Sequence, residues 1–230
     1  PDPPSRHARQ HFQCFSAPPC DRPSGMENFS VFPATLTLIA INVAASIYAW
    51  LNPRFLMSNL FHVEAVRQGR EYHRLVTSGF LHGGVFHLLI NMLVLFQFGR
   101  FIEYQLGTVS FIIVYFAALL GGNLWALMEN FRSPDYRALG ASGATSGIIL
   151  SFCLFQPFAM LLFFVIPMPA VVFAILFITI SVILARNENR VIGHEAHIGG
   201  AIAGLVATIA VAPQSLSIFA DQVARFLGGG

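Results

Sequence analysis

Six apolar segments, each close to the roughly 20 residues that an α-helix needs to cross a bilayer, constrain the fold of this chain most. Their expected bounds are 32–51, 85–103, 109–128, 142–155, 170–185 and 197–212. Charged residues make up only 10% of the 230 residues, whereas soluble domains carry about 25%. The sequence therefore predicts an all-α, polytopic membrane protein built as a bundle of six transmembrane helices.

The prolines near residue 168 separate the fourth predicted span from the fifth. Pro167 and Pro169 would each break a helix, so we expect the fifth span to begin near Ala170. The apolar stretch 158–165 is too short to cross a bilayer by itself. A seven-span arrangement that includes this stretch stays open at this point.

Composition divides the chain into three regions. Residues 1–29 are rich in Pro, Arg, His and Ser without a long apolar run, so we expect a disordered tail and a folded protein that begins near Met26. Residues 30–212 form the expected transmembrane domain. In 213–230 apolar residues recur at helical spacing, which predicts an amphipathic helix on the membrane surface.

Charge and cysteine content argue against several other classes of protein. The formal net charge is only +2, which indicates no nucleic-acid partner. The three cysteines, Cys14, Cys20 and Cys153, provide neither a disulfide framework nor metal-ligand spacing. The segment 194–197 lacks the two histidines four residues apart that a zinc-protease helix requires.

Polar side chains gather near one end of three predicted spans. His87 and Asn91 lie in the first turns of the second span, Ser142 opens the fourth, and His197 opens the sixth. With six spans, these three helices start at the same membrane face. Polar groups inside a bilayer are costly and usually functional, so the four residues predict a single site.

The segment around Ser142 suits a nucleophile. Gly140 can adopt the backbone angles of a sharp turn, and Gly143 adds no side chain to the start of the next helix. The first amides of that helix lack intrahelical partners and lie at the positive end of its dipole. A serine hydroxyl there can attack a carbonyl carbon while the amides stabilise the oxyanion.

Two glycine pairs predict how a base reaches the serine. Gly143 and Gly147 are four residues apart, as are Gly200 and Gly204, and small residues at this spacing let helix backbones approach closely. If the two pairs pack together, His197 comes within reach of the hydroxyl. A neutral histidine is a suitable base. No acidic residue lies within the predicted spans to complete a triad, and Glu103 is at the far end of the second, so we expect a Ser–His dyad.

Each element also has a simpler interpretation. His87 alone could be a buried histidine bonded to a carbonyl, Asn91 could be an interhelical contact, and the glycines could serve packing only. Two other functions stay open: a haem protein with His87 and His197 as axial ligands, and a non-catalytic protein that binds transmembrane client helices.

Taken together, these residues resemble the rhomboid family of intramembrane serine proteases. Residues 140–143 match the family's Gly-x-Ser-Gly motif, and 196–200 are similar to its catalytic-histidine helix. His82, His87 and Asn91 reproduce its His…His-x-x-x-Asn pattern. The similarity covers roughly residues 30–212.

The resemblance implies a role for each position. Ser142 would be the nucleophile and His197 the general base and acid. His87, Asn91 and the Ser142 amide would form the oxyanion hole, and His82 would hold the first loop. The implied reaction is hydrolysis of peptide bonds in or near transmembrane segments of other proteins, without a metal or cofactor. The implied location is the lipid bilayer, as a multi-pass protein of a bacterial inner membrane.

Two positions depart from the family pattern. His73 stands before Arg74, where the family often has tryptophan, which bears on how the first loop is anchored. Ser146 stands where some members place a tyrosine that stacks on the catalytic imidazole. We therefore expect other packing to orient His197, and Ser146 to be a possible competitor for its hydrogen bond.

Membrane orientation is predicted in opposite senses by two arguments. The loops at the expected active face hold eight arginines and the other side holds five, which by the positive-inside rule puts the active face in the cytoplasm. The resemblance implies the reverse, with both termini inside. We follow the resemblance and expect the active face outside the cytoplasm. The resemblance also implies that the fifth span and the loop before the sixth form the gate through which the substrate enters.

Overall fold

The structure is a computed structural model that describes residues 32–163, 166–185 and 194–228. The predicted disordered tail, 1–29, and most of the loop before the sixth predicted span lie outside the described residues. Within them the helices are α1 (Pro33–Leu51), α2 (Pro53–Asn59), α3 (Val63–Arg67), α4 (Arg74–Thr77), α5 (Val85–Val94), α6 (Arg100–Leu106), α7 (Thr108–Glu129), α8 (Ser142–Phe155), α9 (Ala170–Ala185), α10 (His194–Val211) and α11 (Gln214–Leu227). The short strands are β1 (Phe61–His62), β2 (Arg137–Ala138), β3 (Met160–Phe163) and β4 (Ile166–Pro169).

Three helices of the described chain are long and apolar enough to cross a membrane. They are α1, α7 and the continuous helix Val85–Leu106, in which a π-helical turn at Leu95–Gly99 joins α5 to α6. α10 and α11 meet at an angle of 105° and add a fourth candidate if they count as one span. The helical membrane class is therefore confirmed, while the count of six spans stays a prediction.

The remaining apolar helices are shorter, but they begin and end close to where the sequence predicts. α8 and α9 have the predicted bounds. α10 begins three residues before the predicted start, at His194. Its first turn then contains Glu195, where a carboxylate interacts favourably with the helix dipole.

The segment between α8 and α9 is a β-hairpin, which the sequence analysis did not predict. β3 pairs with β4 in antiparallel register, with Met160 opposite Pro169 and Phe163 opposite Ile166. Proline lacks an N–H donor and is normally confined to edge strands. Because this sheet has only two strands, Pro167 and Pro169 can lie on an edge of it.

α8 and α10 contact each other backbone to backbone. A Cβ placed on Gly200 would lie 2.7 Å from the Cα of Gly143, and one on Gly204 would lie 2.4 Å from the Cα of Gly147. Real Cβ atoms do not approach that closely, so the contact requires glycine. The predicted packing of the two glycine pairs is confirmed.

α7 joins the same contact with a pair of glycines that the sequence analysis missed. A Cβ on Gly122 would lie 2.5 Å from the Ala196 carbonyl oxygen, and one on Gly121 would lie 2.2 Å from the Cβ of Ala203. Deeper in the bundle, the hydroxyls of Ser151 and Thr208 are 2.6 Å apart and buried. Close packing and a buried hydrogen bond therefore connect α7, α8 and α10.

The buried carboxylate at the opposite end of the bundle has a structural role. Glu103 accepts hydrogen bonds from the amides of Ala34 and Thr35 at 2.9 and 2.8 Å, and from the Thr108 hydroxyl at 2.9 Å. The two amides belong to the first turn of α1, whose positive dipole end favours a carboxylate. Glu103 thus fixes α1 to the end of α6.

We expect Gly204→Ala to destabilise the fold, because its methyl group would overlap the backbone of Gly147. Overpacking of this kind costs about 1–3 kcal/mol. Thermal unfolding in detergent measures the effect. Gly84→Ala is the matched control, since a Cβ on Gly84 meets nothing within 4 Å. Equal unfolding temperatures for the two variants would contradict the close contact.

Candidate active site

Ser142 is the first residue of α8. Ala141 occupies the N-cap position without a side-chain hydrogen bond, and Gly140 before it has φ +129°, a backbone conformation that strongly favours glycine. The Gly140 amide donates to the Ser78 carbonyl oxygen at 3.0 Å, which fixes the turn to the first loop. Ser142 is 9% exposed, so the chain delivers a largely buried hydroxyl to the N-terminal end of a helix.

Gly140 also makes space between two predicted site residues. A Cβ on Gly140 would lie 2.9 Å from His87 Nε2 and 3.7 Å from Ser142 Oγ. The imidazole of His87 and the hydroxyl of Ser142 therefore both lie beside the position that a Cβ of residue 140 would occupy. A larger residue at position 140 would fill it.

His197 lies in the first turn of α10 and is 6% exposed. Its ring stacks on Phe177 of α9, with ring centroids 5.6 Å apart and planes 24° apart. The carbonyl oxygen of the preceding Ala196 lies 3.0 Å from where a Cβ of Gly143 would be. The first turns of α8 and α10, which bear Ser142 and His197, are therefore packed together.

The departure at Ser146 raised two questions, the orientation of His197 and competition for its hydrogen bond, and the structure bears on both. Ser146 is buried, and its hydroxyl donates to the Ser142 carbonyl oxygen at 2.6 Å. That bond directs its proton within α8, so the expected competition for His197 has no support here. Phe177 provides the aromatic stack on His197 that the chain lacks at position 146.

Asn91 is buried on α5 and makes two hydrogen bonds. Its Nδ2 donates to the carbonyl oxygen of His87 at 2.9 Å, one helical turn earlier. Its Oδ1 accepts from the hydroxyl of Thr145 on α8 at 3.2 Å. Thr145 was not among the site residues predicted from the sequence, where its one indication was a hydroxyl about one turn after Ser142.

His82 connects α1 to the turn before α8. Its Nε2 accepts from the Ala141 amide at 3.5 Å, and its Nδ1 lies 2.9 Å from the Ser46 hydroxyl. Burial, with a smaller contribution from nearby His87, lowers the pKa of His82 to about 3, so the ring is neutral near pH 7. Because Nε2 accepts, we assign the proton to Nδ1, which donates to Ser46.

The first loop is anchored although His73 replaces the usual tryptophan. Arg74 is buried, and its Nη1 donates to the carbonyl oxygens of Met57 and Leu60, both at 2.8 Å. His73 Nε2 lies 3.1 Å from the Ser58 carbonyl oxygen. These bonds hold α4 against the end of α2, so the loop is fixed mainly through main-chain carbonyl groups.

Two further contacts join the segment before Ser142 to its surroundings. β1 of the first loop pairs with β2, with Phe61 opposite Ala138. The Tyr136 hydroxyl donates to Glu195 at 2.9 Å, which connects this segment to the first turn of α10.

The structure gathers all the predicted site residues at one end of the bundle. They are His82, His87, Asn91, Gly140, Ser142, Gly143 and His197.

Comparison with known proteins matches this arrangement to one family. The family model for the rhomboid domain matches residues 69–214, more than half of the chain. RHOMBOID-like protein 12, mitochondrial, of Arabidopsis thaliana is 32% identical over 173 residues, which cover 68% of this chain and 51% of that protein. Rhomboid protease GluP of Bacillus subtilis is 29% identical over 158 residues, 69% of this chain and 29% of that protein. Inactive RHOMBOID-like protein 8 of Arabidopsis thaliana is 32% identical over 88 residues, 38% of this chain and 25% of that protein.

The chain spans about half or less of the length of these relatives. One of them is a mitochondrial protein, so the expected bacterial inner membrane is not supported. What the family and the apolar helices do establish is an integral membrane protein. The chain belongs to the rhomboid family.

Proposed function

We propose that this chain is an intramembrane serine endopeptidase that cleaves peptide bonds in or near transmembrane segments of other membrane proteins. One observation carries the proposal: Ser142 and His197 lie in the first turns of two helices whose backbones touch through glycine. Relatives of the chain include a protein named as a protease and one named as inactive. The assignment of activity therefore rests on the site rather than on the family.

In the proposed reaction, Ser142 Oγ attacks the carbonyl carbon of the substrate while His197 takes its proton. The tetrahedral intermediate collapses as His197 gives that proton to the leaving amine, and an acyl-enzyme forms. Water then attacks the ester with His197 as the base, the bond from the acyl carbon to Ser142 Oγ breaks, and His197 returns the proton to Oγ as the carboxylic acid product leaves. In this mechanism the reacting groups are Ser142, His197 and water, without a metal or cofactor.

The proposed oxyanion hole consists of the Ser142 amide, His87 and Asn91. The amide belongs to the first turn of α8, where backbone donors lack helical partners. The His87 ring and Ser142 Oγ both lie close to the position that a Gly140 Cβ would occupy, and in this proposal the ring donates to an oxygen placed there. Donors held in position before the reaction are worth far more than mobile ones.

The proposed membrane arrangement keeps six spans within residues 30–212, with 213–230 as an amphipathic tail and the active end opposite the termini. α8 has 14 residues, a length of about 21 Å, which is less than the bilayer core of about 30 Å. Thirteen of these residues are buried within the protein. A helix surrounded by protein need not match the thickness of the lipid. In the proposed arrangement, the short length of α8 leaves Ser142 below the membrane surface at the active end, where water reaches it from that side.

Replacing either member of the dyad tests the proposal. We expect Ser142→Ala and His197→Ala each to abolish cleavage of a transmembrane test substrate in liposomes, with unchanged thermal unfolding. Ser217→Ala, an exposed serine on α11, serves as the control and should cleave normally. Cleavage by Ser142→Ala at the wild-type rate would exclude this nucleophile.

The same variants separate the two rival functions. A non-catalytic binder of transmembrane helices would bind the test substrate but leave it intact even as wild type. A haem protein with His87 and His197 as ligands would show a Soret absorption band that His197→Ala removes and Ser142→Ala does not.

Cleavage rate should rise with pH and then level off, because His197 acts as a base only after it loses its proton. His82 cannot cause this rise, since burial lowers its pKa to about 3 and it stays neutral across the measured range. Initial rates in liposomes between pH 5 and 9 provide the measurement. A rate that falls over this range would contradict a histidine base.

A further inference from the structure

The side-chain amide of Asn91 is held at both ends by hydrogen bonds. Nδ2 donates to the His87 carbonyl oxygen at 2.9 Å on the same helix. Oδ1 accepts from the Thr145 hydroxyl, 3.2 Å away on α8. An amide nitrogen carries two hydrogens, so Asn91 keeps one N–H available while the plane of its amide is fixed.

Thr145 is the residue through which the serine-bearing helix holds this amide. It lies three residues after Ser142 and is 2% exposed. Its hydroxyl is also 3.1 Å from the Ser142 carbonyl oxygen. A carbonyl oxygen can accept two hydrogen bonds, and Ser146 donates to this one at 2.6 Å, so the carbonyl keeps a donor when Thr145 turns its proton to Asn91. The proton of Thr145 is then available to Asn91.

We propose that Thr145 is a positioning residue for the oxyanion hole, holding the amide oxygen of Asn91 so that the amide's free N–H faces the reacting carbonyl. This inference rests on the protease function proposed above. An oxyanion donor is effective when neighbouring groups hold it in place before the reaction. A rotated amide would present its oxygen, which repels the developing negative charge.

Thr145→Val tests the role, since it removes the hydroxyl and keeps the branched shape. We expect kcat to fall about three- to tenfold, the range that one hydrogen bond contributes. KM should change less than about twofold, because the hydrogen bond from the Asn91 N–H to the substrate oxygen becomes strong only in the transition state. Thr145→Ser keeps the hydroxyl and should restore most of the wild-type kcat.

Two comparisons make the test specific to Asn91. Asn91→Ala should lower kcat by about ten- to a thousandfold, as for loss of one oxyanion donor. Adding Thr145→Val to Asn91→Ala should cause no further loss, because the group that Thr145 holds is gone. Ser217→Ala removes an exposed hydroxyl on α11 that bonds to the Gln214 carbonyl oxygen, and it should leave kcat unchanged.

Wild-type kcat in Thr145→Val, or an equal loss in the wild-type and Asn91→Ala backgrounds, would overturn this inference. If Thr145→Val does not fold, the smaller Thr145→Ala takes its place in the same double-mutant cycle. Cleavage that survives Ser142→Ala has a different meaning, because it would refute the protease function itself and this inference with it.

Discussion

The close contact between α8 and α10 is the constraint on which the site depends. Water is absent from the bilayer core, so helices there associate through close packing and hydrogen bonds rather than by burying apolar surface. Gly143 and Gly147 on one helix and Gly200 and Gly204 on the other let the two backbones touch. This contact fixes the register of the two helices, and with it the relative height of Ser142 and His197.

Polar connections surround that contact and extend it to the rest of the molecule. His82 joins α1 to the turn before Ser142, and Tyr136 joins the same segment to Glu195 at the start of α10. Thr145 joins α8 to Asn91 on α5. Buried polar groups in a membrane are costly when unpaired, so these bonds both stabilise the helices and fix the side chains of the site.

The sequence predicted the features that depend on local chemistry. Gly140 and the prolines near residue 168 marked the bounds of α8 and α9 because they act on the backbone directly. The glycine pairs predicted the contact of α8 with α10 because a spacing of four residues lies on one helix face. The positions of His87, Ser142 and His197 near the starts of the second, fourth and sixth predicted spans then indicated the end of the bundle where they would meet.

Features that depend on distant partners were less accessible. Pro167 and Pro169 argue against a strand, and only a two-stranded sheet with free edges makes the hairpin β3–β4 compatible with them. Thr145 resembles any hydroxyl within a helix until the position of Asn91 is known. The number of spans also cannot be read from length alone, since α8 is shorter than the bilayer core and buried within the protein.

The central claim is that the Ser142 hydroxyl is activated by the imidazole of His197. Labelling with a fluorophosphonate, followed by mass spectrometry of the modified peptide, tests it directly, because the reagent reacts only with an activated hydroxyl. The account predicts an adduct on Ser142 that disappears in His197→Ala. An adduct on Ser146 instead, or labelling of Ser142 that is as fast without His197, would contradict it.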